Sequence, residues 1–200
     1  MTLPNKLTIG RMISIFVIII ISIIPYFRTV NLFGCITLED MIILAIFALA
    51  SFTDYLDGHI ARKYNLITTF GKFMDPLADK LLVTSVLLVE LERGRFTVFG
   101  FSLGFCVMLI LAREFMVTGI RLLAASSEQK KIIPANMWGK CKTVSQMAMV
   151  IVLLFDGFSF ISASVGNIVK LVFIAVATIL TVISGIVYFC QSKDIILESK

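Results

Sequence analysis

Residues 54–79 read DYLDGHIARKYNLITTFGKFMDPLAD and hold four of the seven aspartates in the chain. Strongly apolar segments flank this stretch, ILAIFALASFT before it and KLLVTSVLLV after it. Asp54 and Asp57 are three residues apart and Asp75 and Asp79 are four apart, so each pair lies on one face of a helix. Carboxylates next to hydrocarbon are costly and indicate a functional site. Because clustered carboxylates repel each other, we expect divalent cations between them, and oxygen-only ligands favour Mg²⁺ or Mn²⁺.

The composition predicts an all-α integral membrane protein with one domain, residues 1–200. Hydrophobic residues make up 58% of the chain and the mean hydropathy is +0.99, both above the values typical of soluble proteins. Several apolar runs reach the length of about 20 residues that crosses a bilayer, without the alternation of a β-barrel. The net charge is +5, but the basic residues stand at helix ends and in short loops. We therefore expect contact with the lipid bilayer and no nucleic acid binding.

The apolar segments predict a bundle of six transmembrane helices, preceded by a short amphipathic segment at residues 1–11 that lies along the membrane surface. Pro76 fits the first turn of the third helix, where its missing N–H costs little. That helix is expected to end near residue 95. The other five helices are expected at about 7–27, 41–64, 97–125, 143–158 and 165–191.

Six crossings place both termini on the same side of the membrane. Of the 18 basic residues, 14 then lie on or nearer that side, and four lie nearer the other, namely Arg28, Arg93, Arg95 and Lys170. By the positive-inside rule, both termini and the acidic stretch are cytoplasmic. We expect a multi-pass protein of the plasma membrane whose site faces the cytoplasm, where Mg²⁺ and nucleotides are found.

The spacing within the acidic stretch is similar to the signature of the CDP-alcohol phosphatidyltransferase family. The match covers eight specified positions: Asp54-x2-Asp57-Gly58-x2-Ala61-Arg62-x8-Gly71-x3-Asp75-x3-Asp79. Helix caps or solvated aspartates explain one or two of these residues, but not eight in register. Members of this family move a phosphatidyl group from a CDP-linked lipid to an alcohol and release CMP.

The resemblance implies roles for these residues. It implies that a two-metal site is held by Asp54, Asp57, Asp75 and Asp79. Asp79 would also be the catalytic base that takes the proton of the incoming hydroxyl. The CDP-lipid would be bound by Asp57, Gly58, Ala61, Arg62 and Gly71. Small residues leave room for the nucleotide to approach the backbone, and an arginine offers a fork for its phosphate.

The N-terminal Asn5-x2-Thr8-x2-Arg11 is similar to the opening of bacterial family members that use glycerol 3-phosphate. The resemblance implies that Asn5 and Thr8 reach the CDP-lipid. A plain helix cap explains either residue alone equally well.

Two further segments resemble the same family members and bear on the acceptor alcohol. Arg113 lies deep in an apolar segment and needs a partner or an anionic ligand. Glu114 is adjacent, but neighbours on a helix point about 100° apart, so we expect Arg113 to face the site. An ion pair with Glu114 or an aspartate across helices is the alternative. Lys142 is expected at the start of the fifth helix, where the terminal amides also favour an anion. With Arg121, these residues predict a pocket for the phosphate of sn-glycerol 3-phosphate.

The expected reaction converts CDP-diacylglycerol and sn-glycerol 3-phosphate into phosphatidylglycerophosphate and CMP. Within the family, the acceptor could instead be inositol phosphate, serine or phosphatidylglycerol, although a serine enzyme has less use for so many basic residues. A divalent-cation transporter is an alternative from another class, and a cation path gains nothing from Arg62. Members of the family are usually homodimers, so the resemblance also implies a dimer, for which the sequence gives no independent evidence.

Overall fold

The computed structural model describes residues 3–33, 36–63, 69–126, 137–159 and 161–192. Within these ranges, six helices have 18 to 29 residues: α1 (Leu3–Ile23), α3 (Leu38–Lys63), α4 (Thr69–Glu92), α5 (Gly104–Ser126), α6 (Met137–Leu154) and α7 (Ala163–Gln191). The connections contain the short helix α2 (Pro25–Thr29), strands β1 (Asn31–Phe33) and β2 (Ile36–Thr37), strands β3 (Thr97–Val98) and β4 (Phe101–Ser102), and a 3₁₀ turn at Asp156–Phe158. Both strand pairs, β1 with β2 and β3 with β4, are antiparallel.

The six long helices share one apolar core. α1 packs along α3 and α4, and α7 packs along α5 and α6. Every long helix contributes a fully buried side chain, among them Ile18, Ile43, Leu82, Ile110, Leu153 and Ile174. The helices therefore form a single packed bundle.

The distribution of apolar and polar side chains indicates a membrane protein. Residues 5–23 of α1 and the whole of α7 are long and apolar enough to cross a bilayer. α7 exposes a row of large apolar side chains: Val165, Ile168, Leu171, Val172, Val176, Ile179, Val182, Ile186 and Phe189. Such a surface is stable in lipid and is an association hazard in water. The chain is a helical, membrane-associated protein, and the six crossings and their orientation stay predictions.

The N-terminal segment differs from the prediction. Residues 3–11 form the first turns of α1 and not a separate surface segment, and α1 is one helix to Ile23. Thr8 and Arg11 are buried among the helices. Pro25 begins α2, because proline lacks the N–H that would continue α1 but fits a first helical position. The first predicted helix, 7–27, is therefore two helices.

The start of α4 also corrects the sequence prediction. α4 begins at Thr69, so Pro76 lies inside the helix and not in its first turn. Proline removes the backbone hydrogen bond to the carbonyl four residues earlier. Membrane helices tolerate this loss where neighbouring polar groups satisfy the carbonyl.

Two more helix starts were predicted wrongly. Residues 97–102 form the β3–β4 hairpin, and α5 begins only at Gly104. Phe99 and Gly100 have φ of 50° and 82°, which turns the chain between the strands. α6 begins at Met137, so Lys142 lies inside the helix. The prediction that the amides of a helix N-terminus favour an anion beside Lys142 is therefore wrong.

Candidate active site

A cavity of about 500 Å³ opens between α4, α5 and α6. This volume is within the range of small-molecule sites, roughly 300–1,000 Å³. The cavity is lined by the middle of α4, by residues 110–121 of α5 and by the N-terminal half of α6. Its charged lining residues are Asp79, Lys80, Arg113, Glu114, Arg121, Lys140 and Lys142. The structure therefore brings together Asp79 and all three residues predicted to bind the acceptor phosphate.

The two aspartates of α4 lie one helical turn apart. Asp79 lines the cavity and Asp75 is half-buried one turn before it. The Thr8 hydroxyl of α1 donates a short hydrogen bond to Oδ1 of Asp75. Thr8 is fully buried and lies inside α1, so it is not a helix cap. Its contact with a predicted metal ligand was not expected, because the sequence suggested a contact with the nucleotide.

Arg113 projects from α5 between two partners. Its Nη2 donates to Oγ of Ser184 on α7 at 2.6 Å, and its Nη1 lies 3.4 Å from Oε1 of Glu114. The adjacent positions on the helix do not prevent this ion pair, because both side chains are long enough to turn towards the cavity. The ion pair with Glu114 was the alternative to a free arginine, and the structure contains it.

Lys142 of α6 is buried and its Nζ forms a close ion pair with Oε1 of Glu114 on α5. Glu114 therefore contacts Lys142 and Arg113 from two helices. This carboxylate fixes the two cations near each other, although the acidic side chain was not predicted as a site residue.

Arg121 lies two turns after Arg113 on α5 and is exposed to the mouth of the cavity. Its Nε donates to the hydroxyl of Tyr188 at 3.3 Å, and its Cζ lies 5.3 Å from the centre of the Tyr188 ring. A guanidinium over an aromatic face at this distance gains a cation–π attraction.

Lys80 is a lining residue that the sequence prediction left among the topology charges. Its ammonium group donates to the hydroxyl of Thr118 on α5. Its position directly after Asp79 was a signal that could have suggested a site role. Gln146 also lines the cavity, and no role was predicted for it.

Several predicted site residues lie outside the described side chains. The backbone of α3 includes Asp54, Asp57, Gly58, Ala61 and Arg62, and α4 includes Gly71, but no side-chain geometry is described for them. Asn5 is described and partly buried in α1. Among the side chains that are described, no three acidic, histidine or cysteine residues gather as metal ligands.

The end of the bundle opposite the cavity contains a second charged cluster, which we call the far cluster. Arg93 is the centre of this network, with Nη1 against Asp40 and 3.3 Å from Oε1 of Glu90, and Nε 3.9 Å from Oε2 of Glu39. Arg95 contacts Asp40 at 3.2 Å. The four basic residues predicted to lie on the side opposite the termini all belong to this network: Arg28, Arg93, Arg95 and Lys170.

Asp156 joins the far cluster from the connection between α6 and α7. Its Oδ1 lies 2.6 Å from Nη1 of Arg95 and 3.0 Å from Nζ of Lys170. Burial alone would raise the pKa of this carboxyl group. The charge and hydrogen bond of Arg95, with the hydrogen bond of Lys170, outweigh burial and hold the pKa of Asp156 below its ordinary value.

Comparison with known proteins identifies the class to which this bundle and its charged cavity belong. The CDP-alcohol phosphatidyltransferase pattern matches residues 1–186. The chain belongs to the CDP-alcohol phosphatidyltransferase family.

Curated relatives narrow the comparison. The chain is 37% identical to the CDP-diacylglycerol–glycerol-3-phosphate 3-phosphatidyltransferase of Bacillus subtilis (strain 168), over 98% of both chains. Proteins with the same name in Rickettsia bellii (strain RML369-C) and Haemophilus influenzae (strain ATCC 51907 / DSM 11121 / KW20 / Rd) are 39% and 30% identical. These matches cover 96% and 98% of this chain and 95% and 96% of the relatives.

Proposed function

We propose that the chain transfers the phosphatidyl group of CDP-diacylglycerol to sn-glycerol 3-phosphate, giving phosphatidylglycerophosphate and CMP. The observation that carries this proposal is the cavity in which Asp79 meets Arg113, Arg121 and Lys142. Family membership supports the phosphatidyl transfer, and the names of full-length relatives support the acceptor.

The charge of the cavity supports a phosphate-bearing acceptor. Among the described residues, five basic and two acidic side chains line it, an excess of three positive charges. A phosphate monoester carries nearly two negative charges at neutral pH. Serine brings no net charge and leaves this excess uncompensated. Glycerol 3-phosphate fits the cavity better than an uncharged or zwitterionic alcohol.

The chain's own residues perform the transfer in a simple sequence. Arg113 and Lys142 hold the acceptor phosphate, which brings a hydroxyl of the acceptor towards Asp79. The Asp79 carboxylate takes the proton of that hydroxyl. At the same time, the hydroxyl oxygen of the acceptor forms a bond to the phosphorus that carries diacylglycerol. The bond from this phosphorus to the CMP oxygen breaks, and CMP leaves with the electron pair. We assign the CDP-lipid contacts to Asn5, Thr8, Asp57, Gly58, Ala61, Arg62 and Gly71.

The donor chemistry fits a divalent cation. Asp75 and Asp79 offer carboxylate oxygens from one face of α4, and Thr8 orients the first of these carboxylates. With Asp54 and Asp57 from α3, the set consists of oxygen ligands only, which Mg²⁺ and Mn²⁺ prefer. We propose that these four aspartates hold two such ions, which when bound neutralise charge on the pyrophosphate and on the leaving CMP.

The test is CMP release by the purified protein in detergent. CDP-diacylglycerol is supplied with glycerol 3-phosphate, inositol phosphate, serine or phosphatidylglycerol, each with Mg²⁺, with Mn²⁺ and with EDTA. We expect metal-dependent CMP release with glycerol 3-phosphate, and we expect Arg113→Ala to raise mainly the KM for this acceptor. Release with another alcohol would retain the family reaction and overturn the assigned acceptor. No release with any alcohol, together with metal uptake into vesicles, would favour a transporter.

We further propose a multi-pass protein of the plasma membrane with six crossings and a cytoplasmic active site. In a variant without native cysteines, Met137→Cys and Phe99→Cys place thiols at exposed positions on opposite ends of the bundle. An impermeant thiol reagent should label Phe99→Cys on intact cells and Met137→Cys only in inverted vesicles. The reverse pattern would invert the topology. We also propose a homodimer, as the family resemblance implies, and the mass of the purified protein–detergent complex tests it.

A further inference from the structure

α7 is the most apolar of the long helices, but its inward face carries a short polar seam. We call Thr181, Ser184, Gly185 and Tyr188 the α7 seam. Their spacing places them on one face of the helix. Thr181, Ser184 and Tyr188 are at most 4% exposed, and none of the four residues lines the cavity.

Three residues of the α7 seam accept hydrogen bonds from side chains that line the cavity. Ser184 accepts a hydrogen bond from Arg113 at 2.6 Å, and Tyr188 accepts one from Arg121 at 3.3 Å. Thr181 accepts one from Gln146 at 3.2 Å. The seam therefore supports groups on α5 and α6 from behind.

Gly185 makes the fit between α7 and Arg113 closer. A Cβ atom at this position would lie 3.0 Å from Cγ of Arg113, tighter than ordinary van der Waals contact. The absence of a side chain lets the arginine stem lie against the α7 backbone. Ser184 then receives the guanidinium at the end of that stem.

We propose that Ser184, Gly185 and Tyr188 are positioning residues that fix Arg113 and Arg121 towards the cavity and so set the affinity for the acceptor's phosphate. This inference rests on the proposed function. An arginine without a fixed partner samples many rotamers and loses this conformational entropy when it binds an anion. An arginine that is already hydrogen-bonded in one rotamer loses less entropy on binding. The seam lowers the cost of binding a phosphate monoester, and it has no such effect on the CDP-lipid.

The predicted signature is a change in KM for the acceptor with little change in kcat. Ser184→Ala and Gly185→Ala should each raise the KM for glycerol 3-phosphate about tenfold, which equals about 1.4 kcal/mol. Tyr188→Phe should raise it less, about threefold, because the ring and its cation–π contact remain. The kcat at saturating acceptor and the KM for CDP-diacylglycerol should stay within about twofold of the wild type.

Matched variants separate positioning from general effects on the fold. Ser184→Thr keeps the hydroxyl and should restore a nearly normal KM. Thr178→Val removes a buried hydroxyl of α7 that donates to its own helix at the Ile174 carbonyl. Gly119→Ala adds a methyl group on α5 where no described atom lies within 4 Å. Both Thr178→Val and Gly119→Ala should leave the KM for the acceptor unchanged.

The experiment is steady-state CMP release by these purified variants across acceptor and CDP-diacylglycerol concentrations. Wild-type protein that releases no CMP with glycerol 3-phosphate would overturn the proposed function itself. Active wild type with a normal acceptor KM in both Ser184→Ala and Gly185→Ala would overturn this inference alone. An equal rise in both substrates' KM values, or the same rise in Thr178→Val, would also overturn it. If Ser184→Ala does not fold, Gly185→Ala and Gly119→Ala decide the question.

Discussion

The far cluster permits a stability prediction that compares two arginines, because Arg93 and its partners are buried whereas Arg28 and one of its two partners are exposed. The side chain of Arg93 is 4% exposed and contacts three carboxylates that are at most 1% exposed. The side chain of Arg28 is 39% exposed, and its partner Glu92 is 66% exposed. Arg93→Met and Arg28→Met delete the same charge and keep a similar apolar stem.

The expected decrease in the free energy of unfolding follows from how well each charge is solvated. Removing one partner of a buried ion pair leaves an uncompensated buried charge and typically costs about 3–5 kcal/mol. Arg93→Met removes a positive charge that Asp40, Glu90 and Glu39 share. We therefore expect the free energy of unfolding to fall by at least about 3 kcal/mol. An exposed pair contributes about 0.2–1 kcal/mol. Arg28 also lies 3.2 Å from the buried Glu39, so we place Arg28→Met at the top of that range, about 1 kcal/mol.

Thermal unfolding in detergent measures both variants. For a chain of this size, 1 kcal/mol corresponds to roughly 2–4 °C in Tm, so Arg93→Met should lower the Tm by about 6–20 °C and Arg28→Met by about 2–4 °C. CMP release well below the Tm should be unchanged in both, because neither arginine lines the cavity. Equal shifts in the two variants, or a shift below about 3 °C for Arg93→Met, would refute the reasoning from burial.

Three other predictions concern the site and the pH dependence. Asp79→Asn should lower kcat by at least about 100-fold in the CMP assay, as expected for loss of a general base, while membrane extraction yields stay normal; a kcat near that of the wild type would remove the proposed base. Thr8→Val should raise the Mg²⁺ concentration for half-maximal activity about tenfold by freeing Asp75, and an unchanged Mg²⁺ requirement would contradict this role. The lowered pKa of Asp156 stabilises the fold fully above about pH 4, and this contribution is lost as the pH falls through the folded-state pKa. The Tm difference between wild type and Asp156→Asn should therefore be constant from about pH 5 to 8 and shrink below about pH 4, whereas a difference that grows in acid would reverse the assigned sign.

The sequence predicted the helical class, and the family resemblance implied that Arg113, Arg121 and Lys142 lie in one pocket. In the structure these three residues come from two helices and line one cavity with Asp79. Hydropathy indicated the long helices, and among the described residues α1 and α7 have an apolar stretch long enough to cross a bilayer. The roles of these residues stay predictions.

The helix starts were harder to predict for a physical reason. The segment TVFGFS at residues 97–102 is as apolar as the helix that follows it, so hydropathy does not separate the two. Only the turn at Phe99 and Gly100 makes it a hairpin, and Gly100 was the available signal. The start of α6 was predicted too late for a similar reason. The residues before Thr143 are polar, so hydropathy placed the start at residue 143, whereas α6 begins at Met137.

The α7 seam was invisible in the sequence because Ser, Gly and Tyr are ordinary residues in membrane helices. Their importance comes from partners more than 60 residues away, at Arg113 and Arg121. A pattern along one helix contains no information about which helix it faces. The apolar character of α7 predicted a long apolar helix, which the structure contains, but it gave no information about the contacts of that helix.

Both ends of the bundle contain buried charges, and their balance distinguishes the site from the structural cluster. The far cluster has four basic residues against five acidic ones, Glu39, Asp40, Glu90, Glu92 and Asp156, and every one of these acids contacts a described arginine or lysine. Among the described residues, five basic and two acidic side chains line the cavity. Buried charge is stable only when it is compensated. The far cluster is close to charge balance and each of its acids contacts a basic side chain, whereas the described lining of the cavity has an excess of positive charge that a phosphate can compensate. This difference supports the proposal that the acceptor binds between α4, α5 and α6, and it favours a structural role for Arg93.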